Sequence, residues 1–195
     1  MTEMQAPPPV PPGFPRTRGE LRERGHVSRS IRDELRENLV HALRRNIDLF
    51  PGILGYEQTV IPALVHAILA RKDVLLLGER GQAKTRLAPN LTALLDEWIL
   101  VLAGTDIPDD PLQPQAFQGR RVVDKLGDAA LLLWLHRSQR FAEKLATPDT
   151  SIADLIGEID PIKIAEGRYL TDEEAISPGL IPASNRSIFN LNELP

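Results

Sequence analysis

The chain has no cysteine among its 195 residues, which excludes disulfides, thiolate nucleophiles and sulfur-ligated zinc or iron–sulfur centres. Aromatic residues are scarce, at 5%. No apolar run reaches the roughly 18 residues that a membrane span needs, and Met1 to Pro15 lacks the apolar stretch of a secretory signal. These absences point to a cytoplasmic protein without a membrane span. The four histidines, His26, His41, His66 and His136, are too scattered for metal-ligand spacing, so each reads as an ordinary surface or core residue.

Apolar residues make up 42% of the chain, enough to bury a core of ordinary domain size. The formal charge of −4 is unevenly spread: residues 16–45 hold nine arginines against five acids, and residues 149–195 hold nine acids against three bases. The basic segment could face nucleic acid or an acidic partner. Its arginines are interleaved with Glu and Asp at helical spacing, however, which favours a solvated helix face over nucleic-acid contact.

"MQAPPPVPPGFP" (4–15) is too rich in proline to join a hydrogen-bonded element, and residues 1–27 read as a proline-rich, basic, disordered tail. A ligand for a proline-binding module is the alternative. Residues 28–195 read as one domain. Ile31, Leu35, Leu39, Leu43 and Ile47 recur every four residues behind Ser30, which predicts an amphipathic helix with a serine cap. A second helix is expected over Glu57 to Ala70, with Pro62 tolerated in its first turn.

"DVLLL" (73–77) suits a strand buried on both faces, "KTRLAPNLTALLDEW" a helix kinked at Pro89, and "ILVLAG" (99–104) a second strand. With three prolines and clustered aspartates, residues 105–125 read as loop. Asp106, Asp109 and Asp110 could form a metal site there, but an exposed acidic loop is the preferred reading. Residues 125–145 read as helix. Strands alternating with helices predict an α/β, doubly wound, three-layer sheet.

Between the first expected strand and the following helix stands Gly78-Glu79-Arg80-Gly81-Gln82-Ala83-Lys84-Thr85. A phosphate-binding loop needs a strand that delivers the chain, a turn with inward-facing N–H groups, and a helix whose N-terminus meets the anion. Gly78 and Gly81 permit the turn, Lys84 can reach the β- and γ-phosphates, and the Thr85 hydroxyl can ligate Mg2+. Ala83 adds one methyl where the usual pattern has glycine. A later apolar stretch, "SIFNLNE" (187–193), ends in Asn192-Glu193, as expected of a strand carrying the magnesium-directed and water-activating residues of an ATPase.

"GERGQAKT" resembles the P-loop of MoxR-type AAA+ ATPases, in which alanine before the lysine is a familiar variant. "ATPDTSIADLIGEIDPIKIAEGRYL" followed by "SPGLIPASNRSIFNLNELP" is similar to the magnesium-chelatase ATPase subunit and its bacterial relatives, with an inserted hairpin ahead of the Walker B strand. The likeness runs over roughly residues 30–195. It implies a P-loop NTPase fold, with ATP bound by Gly78 through Thr85 and Mg2+ handled by Thr85 and Asn192. Lys84 and Glu193 would be catalytic, Glu193 by activating water.

Asn192 stands where most of the superfamily has aspartate, and Ser187 replaces a glycine. The resemblance further implies a homo-oligomeric ring that couples ATP hydrolysis to remodelling of a protein partner. The sensor residues, arginine finger and helical lid would lie beyond Pro195, so the AAA+ module reads as incomplete at its C-terminus. A nucleotide-binding fragment that does not hydrolyse ATP is the alternative. A small P-loop kinase would need a lid and an arginine clamp downstream, and neither is evident.

Overall fold

The computed structural model describes residues 9, 13–77, 84–165 and 175–193. In chain order its helices are α1 (Arg18–Glu23), α2 (Ile31–Arg44), α3 (Val60–Leu69), α4 (Lys84–Asn90), α5 (Phe117–Leu126), α6 (Ile152–Ile156), α7 (Pro161–Ala165) and α8 (Leu180–Ala183). The strands are β1 (Trp98–Leu102), β2 (Leu132–His136), β3 (Phe141–Leu145), β4 (Gly157–Ile159), β5 (Ile176–Pro178) and β6 (Ile188–Asn192). The protein is therefore mixed α/β. Among the described residues its strands form three two-stranded sheets in place of the one wide sheet expected: β1 with β2 antiparallel, β3 with β6 parallel, and β4 with β5 antiparallel. No helix among the described residues is long and apolar enough to cross a membrane.

The single domain expected over 28–195 resolves into two compact units, Arg29–Glu97 and a discontinuous unit of Met1–Ser28 with Trp98–Pro195. In the first, α2 forms behind Ser30 as expected but ends at Arg44, short of Ile47, and of the expected apolar series only Leu39 is fully buried, with Leu43 and Ile47 exposed. Ser30 accepts the Asp33 N–H at its N-terminus (3.1 Å), and the Ser30 hydroxyl donates to Asp33 Oδ2 (2.7 Å). Pro62 falls in the first turn of α3, where its missing N–H costs no helical bond. Leu39, Phe50, Ile53, Leu64, Ile68, Leu87 and Leu94 close the core of this unit, with Leu76 packed at its edge.

"DVLLL" is not a strand. Val74, Leu75 and Leu77 are exposed, Leu77 to 83%. A strand buried on both faces needs a neighbour on each side, and among the described residues none pairs with this run. Only Leu76 finds apolar company. The helix begun at Lys84 stops at Asn90 and continues as a 3-10 turn over Leu91–Leu94. Pro89 lacks the N–H that would extend the α-helical ladder, and the Thr92 hydroxyl donates to the Pro89 carbonyl (2.7 Å) as the chain tightens.

In the discontinuous unit, α1 replaces part of the expected tail. Thr17 accepts the Glu20 N–H, Glu20 Oε2 accepts the Arg16 N–H (2.8 Å), and Leu21 is buried with Leu100, Leu102, Ala130 and Leu132. Arg18 and Arg22 both reach Asp128. The loop expected over 105–125 ends at residue 116, because α5 turns Val122 and Val123 onto the same core. The helix expected over 125–145 is interrupted at Gly127, whose φ of +55° closes α5. The apolar run beyond it pairs with β1 instead, Leu132 opposite Leu102 and Trp134 opposite Leu100. A short apolar run carries little helix or strand preference of its own, and the buried β1 beside it decides the outcome.

Leu39 has no exposed surface, so Leu39→Ala should lower the stability of the helical unit by about 2–5 kcal/mol; urea denaturation followed by circular dichroism would measure it. Asp33, bonded to Ser30 and paired with Arg71 (2.5 Å), is held below the ordinary carboxylate range by the Ser30 bond first and the arginine second. A lowered folded-state value means a contribution that is complete at neutral pH and lost as pH falls through that value. An NMR titration should give Asp33 a midpoint below that of free aspartate, and Asp33→Asn should flatten this part of the acid limb.

Candidate functional site

Of the expected nucleotide loop, Gly78, Glu79, Arg80, Gly81, Gln82 and Ala83 lie outside the described residues. Lys84 and Thr85 are the first two residues of α4. The two flanks of the loop share one anchor: Leu76 before it and Leu87 after it pack in the same core. A cavity of about 220 Å³ opens in this unit, lined by Asn38, His41, Ala42, Leu49, Leu94 and Leu95.

Asn192 and Glu193 belong to the discontinuous unit, at the end of β6. "SIFNLNE" is a strand as expected, running parallel to β3 with Phe141 opposite Ile188 and Leu145 opposite Asn192. It is half-buried throughout. Glu193 follows immediately with φ of +53°. A non-glycine residue in the left-handed region costs on the order of 1–2 kcal/mol, and such positions gather where function fixes the backbone.

The side chains at this strand end are tied together. Asn190 Nδ2 donates to Asn192 Oδ1 (2.9 Å) and to Glu143 Oε1 (3.2 Å), and Asn192 Nδ2 donates to the same Glu143 oxygen. Because the paired residues of a parallel ladder share a face and alternate residues repeat it, β3 and β6 present Glu143, Asn190 and Asn192 together. Sequence reading singled out Asn192 but missed Glu143. Its only signal was an acid at alternate spacing in a stretch assigned to helix.

The connection from β3 to β6 begins with a turn in which Thr147 and Thr150 hydroxyls bond (3.0 Å). Asp149 is held below the ordinary carboxylate range, chiefly by the Thr147 hydroxyl. Ser151 caps α6 by accepting the Asp154 N–H, and Asp154 Oδ2 accepts the Ser151 N–H (3.0 Å); that backbone bond lowers the Asp154 carboxyl as well. Gly157, at φ of +111°, then leads into β4, and β5 returns antiparallel to it. Gly179 lies so close to Leu155 and Gly157 that a Cβ there would collide with backbone.

Asp109 and Asp110, read as part of an exposed loop with a metal site as the alternative, are both buried. Asp109 accepts the N–H groups of Asp110 (2.9 Å), Gln115 (2.9 Å) and Ala116 (2.8 Å), which organises the loop that leads into α5. A Cβ at Gly119 would meet its carboxylate. Asp110 accepts from Ser28 (2.5 Å), Leu112 (2.8 Å) and Gln113 (3.0 Å), and pairs with Arg186 (3.3 Å). Their lone pairs are committed to N–H and O–H donors and a guanidinium. Among the described residues no group of three or more His, Asp or Glu side chains is placed to hold a metal.

Arg186, at φ of +60°, also donates to the Leu100 carbonyl (2.6 Å), while Asn185 donates to the Pro108 carbonyl (2.7 Å). "SNR" ahead of β6 thus bolts that strand to β1 and to the aspartate loop. No family model, curated protein or solved structure matches the chain.

Asp109→Ala should destabilise the discontinuous unit by on the order of 2 kcal/mol, since a fully buried carboxylate that accepts three N–H groups is lost and the Asp110 N–H is left buried without it. Asp109→Asn, which keeps one carbonyl oxygen, should lose less. Chemical denaturation of the two variants beside the native chain gives the comparison.

Proposed function

We propose that the chain binds ATP with Mg2+ through Gly78 to Thr85 and is the nucleotide-binding part of an AAA+ ATPase of the MoxR or magnesium-chelatase type. One observation carries this reading: the strand foreseen from "SIFNLNE" forms parallel to β3, ends at Asn192, and turns at Glu193 into a left-handed backbone position. An acid at this point, just past a strand end, could serve phosphoryl transfer as the Walker B acid does in P-loop enzymes. The start of α4 at Lys84 and the β4–β5 pair ahead of β6 support it further.

The chemistry assigned to each residue follows from its type. Lys84 would neutralise charge on the β- and γ-phosphates. By type, the Thr85 hydroxyl and the Asn192 carbonyl are each hard oxygen donors of the kind that magnesium prefers. Bound Mg2+ supplies charge neutralisation at the phosphates. Glu193 would orient and polarise the attacking water. In the complete ATPase, an arginine from a neighbouring copy in a homo-oligomeric ring would stabilise the transferring phosphoryl group, and turnover would drive remodelling of a protein partner.

A second reading, nucleotide binding without hydrolysis, draws on the neutral carboxamide at 192 and on its hydrogen bonds to Asn190 and Glu143. Titration with a fluorescent ATP analogue tests what the two readings share. Lys84→Ala should weaken binding at least about tenfold, roughly 1.4 kcal/mol; equal affinity in the native chain and the variant overturns the P-loop assignment. Steady-state phosphate release then separates them, with turnover abolished by Glu193→Gln expected of the ATPase and no turnover in the native chain expected of the binder.

A further inference from the structure

Helices α6 and α8 pack against each other, yet no residue of either is buried. Gly179, just ahead of α8, lies so close to the Leu155 backbone that no side chain would fit between them. Ile152 and Ile156, one helical turn apart on the same side of α6, are 74% and 58% exposed, and Leu180 and Ile181 of α8 are exposed as well. The apolar stripe of a helix ordinarily faces a core. This one faces solvent.

Single aliphatic residues on a surface need no explanation, whereas a group of them marks a face that another molecule covers. The charges around this group indicate which kind. Asp149 and Asp154 flank Ile152 along the chain, and Glu158 follows Ile156 on β4. Thr147 holds the Asp149 carboxyl, and the Ser151 N–H the Asp154 carboxyl, below the ordinary range, so both charges are in place at neutral pH. From 147 to 183 the sequence has eight acids against two bases.

An apolar face with an acidic surround repels the anionic headgroups of a membrane and the phosphates of nucleic acid. It complements a helix with aliphatic residues along one side and Lys or Arg beside them. The basic segment of the chain itself, 16–45, is a poorer match, because Arg18, Arg22, Arg29 and Arg32 are already paired with its own acids. We propose that α6 and α8 form a docking surface for a basic amphipathic helix of a protein partner. The surface lies wholly within the discontinuous unit and is independent of the nucleotide reading.

The test uses the full chain and two fluorescein-labelled helical peptides of about 18 residues, with the same leucine face and either lysine or glutamate at the polar positions. Fluorescence anisotropy should show the lysine peptide bound and the glutamate peptide unbound, with affinity falling as salt rises. I152S/I156S should weaken the lysine peptide at least about tenfold, and E158Q about threefold. Leu54→Ser, which removes an exposed leucine from the helical unit, should leave its affinity unchanged. The replaced side chains are all exposed, so each Tm should stay within about 2 °C of native.

Equal affinity in the native chain and I152S/I156S overturns the proposal. So does equal binding of the two peptides, or an equal loss in Leu54→Ser. If I152S/I156S melts early, E158Q decides, since it leaves the apolar face intact: unchanged affinity for the lysine peptide then overturns the proposal. Sedimentation equilibrium addresses a second copy as the occupant, and self-association of the native chain that I152S/I156S abolishes would overturn the assignment to a different protein.

Discussion

The discontinuous unit depends on how one arginine is satisfied away from water. Arg140, with no exposed surface, donates through Nε (2.9 Å) and Nη2 (2.8 Å) to the carbonyl of Arg186, and its own carbonyl accepts the Ile188 N–H (2.9 Å). Burying a guanidinium is tolerable only when its donors are met with good geometry. Meeting them here pins the residues just before β6 against those just before β3. The parallel register of the two strands, and with it the position of Asn192, follows from that constraint.

Arg186 carries the constraint outward. Its guanidinium reaches Asp110 and the Leu100 carbonyl, and Asp110 in turn collects Ser28 and two loop N–H groups. A one-residue slip of β6 would turn Asn190 and Asn192 to the opposite face, away from Glu143. The surface pairs, such as Arg22 with Asp128 or Arg32 with Asp73, are mostly solvated and add little by comparison.

What could be read from the residues was governed by whether a local signal agreed with its surroundings. Ser30 and the four-residue repeat of α2, Pro62 in α3, "ILVLAG" and "SIFNLNE" all combine periodicity or β-like composition with suitable punctuation, and each formed the expected element. "DVLLL" had the composition of a strand and lacked neighbours. "AALLLWLH" was decided by pairing with a strand some thirty residues earlier, information that no local window holds. Composition marked Asp109 and Asp110 as surface residues. The backbone N–H groups that they cap come from a loop whose path no sequence pattern encodes. Lys84 and Glu193 stood out as motif residues, whereas Glu143 became visible beside Asn192 only once β3 lay beside β6.

The discontinuity of the second unit has a consequence for biosynthesis. Residues 29–97 hold a core made from their own segment and can close it as soon as they leave the ribosome. Helix α1 leaves earlier, yet Arg18 must wait for Asp128, 110 residues further along the chain, and Leu21 for Leu100 and Leu132. Until then α1 is a six-residue amphipathic segment, too short to hold its own helix in water. Residues 18–23 are thus made before the helical unit yet reach their native contacts after it, and their apolar face stays open to chaperones throughout the synthesis of that unit.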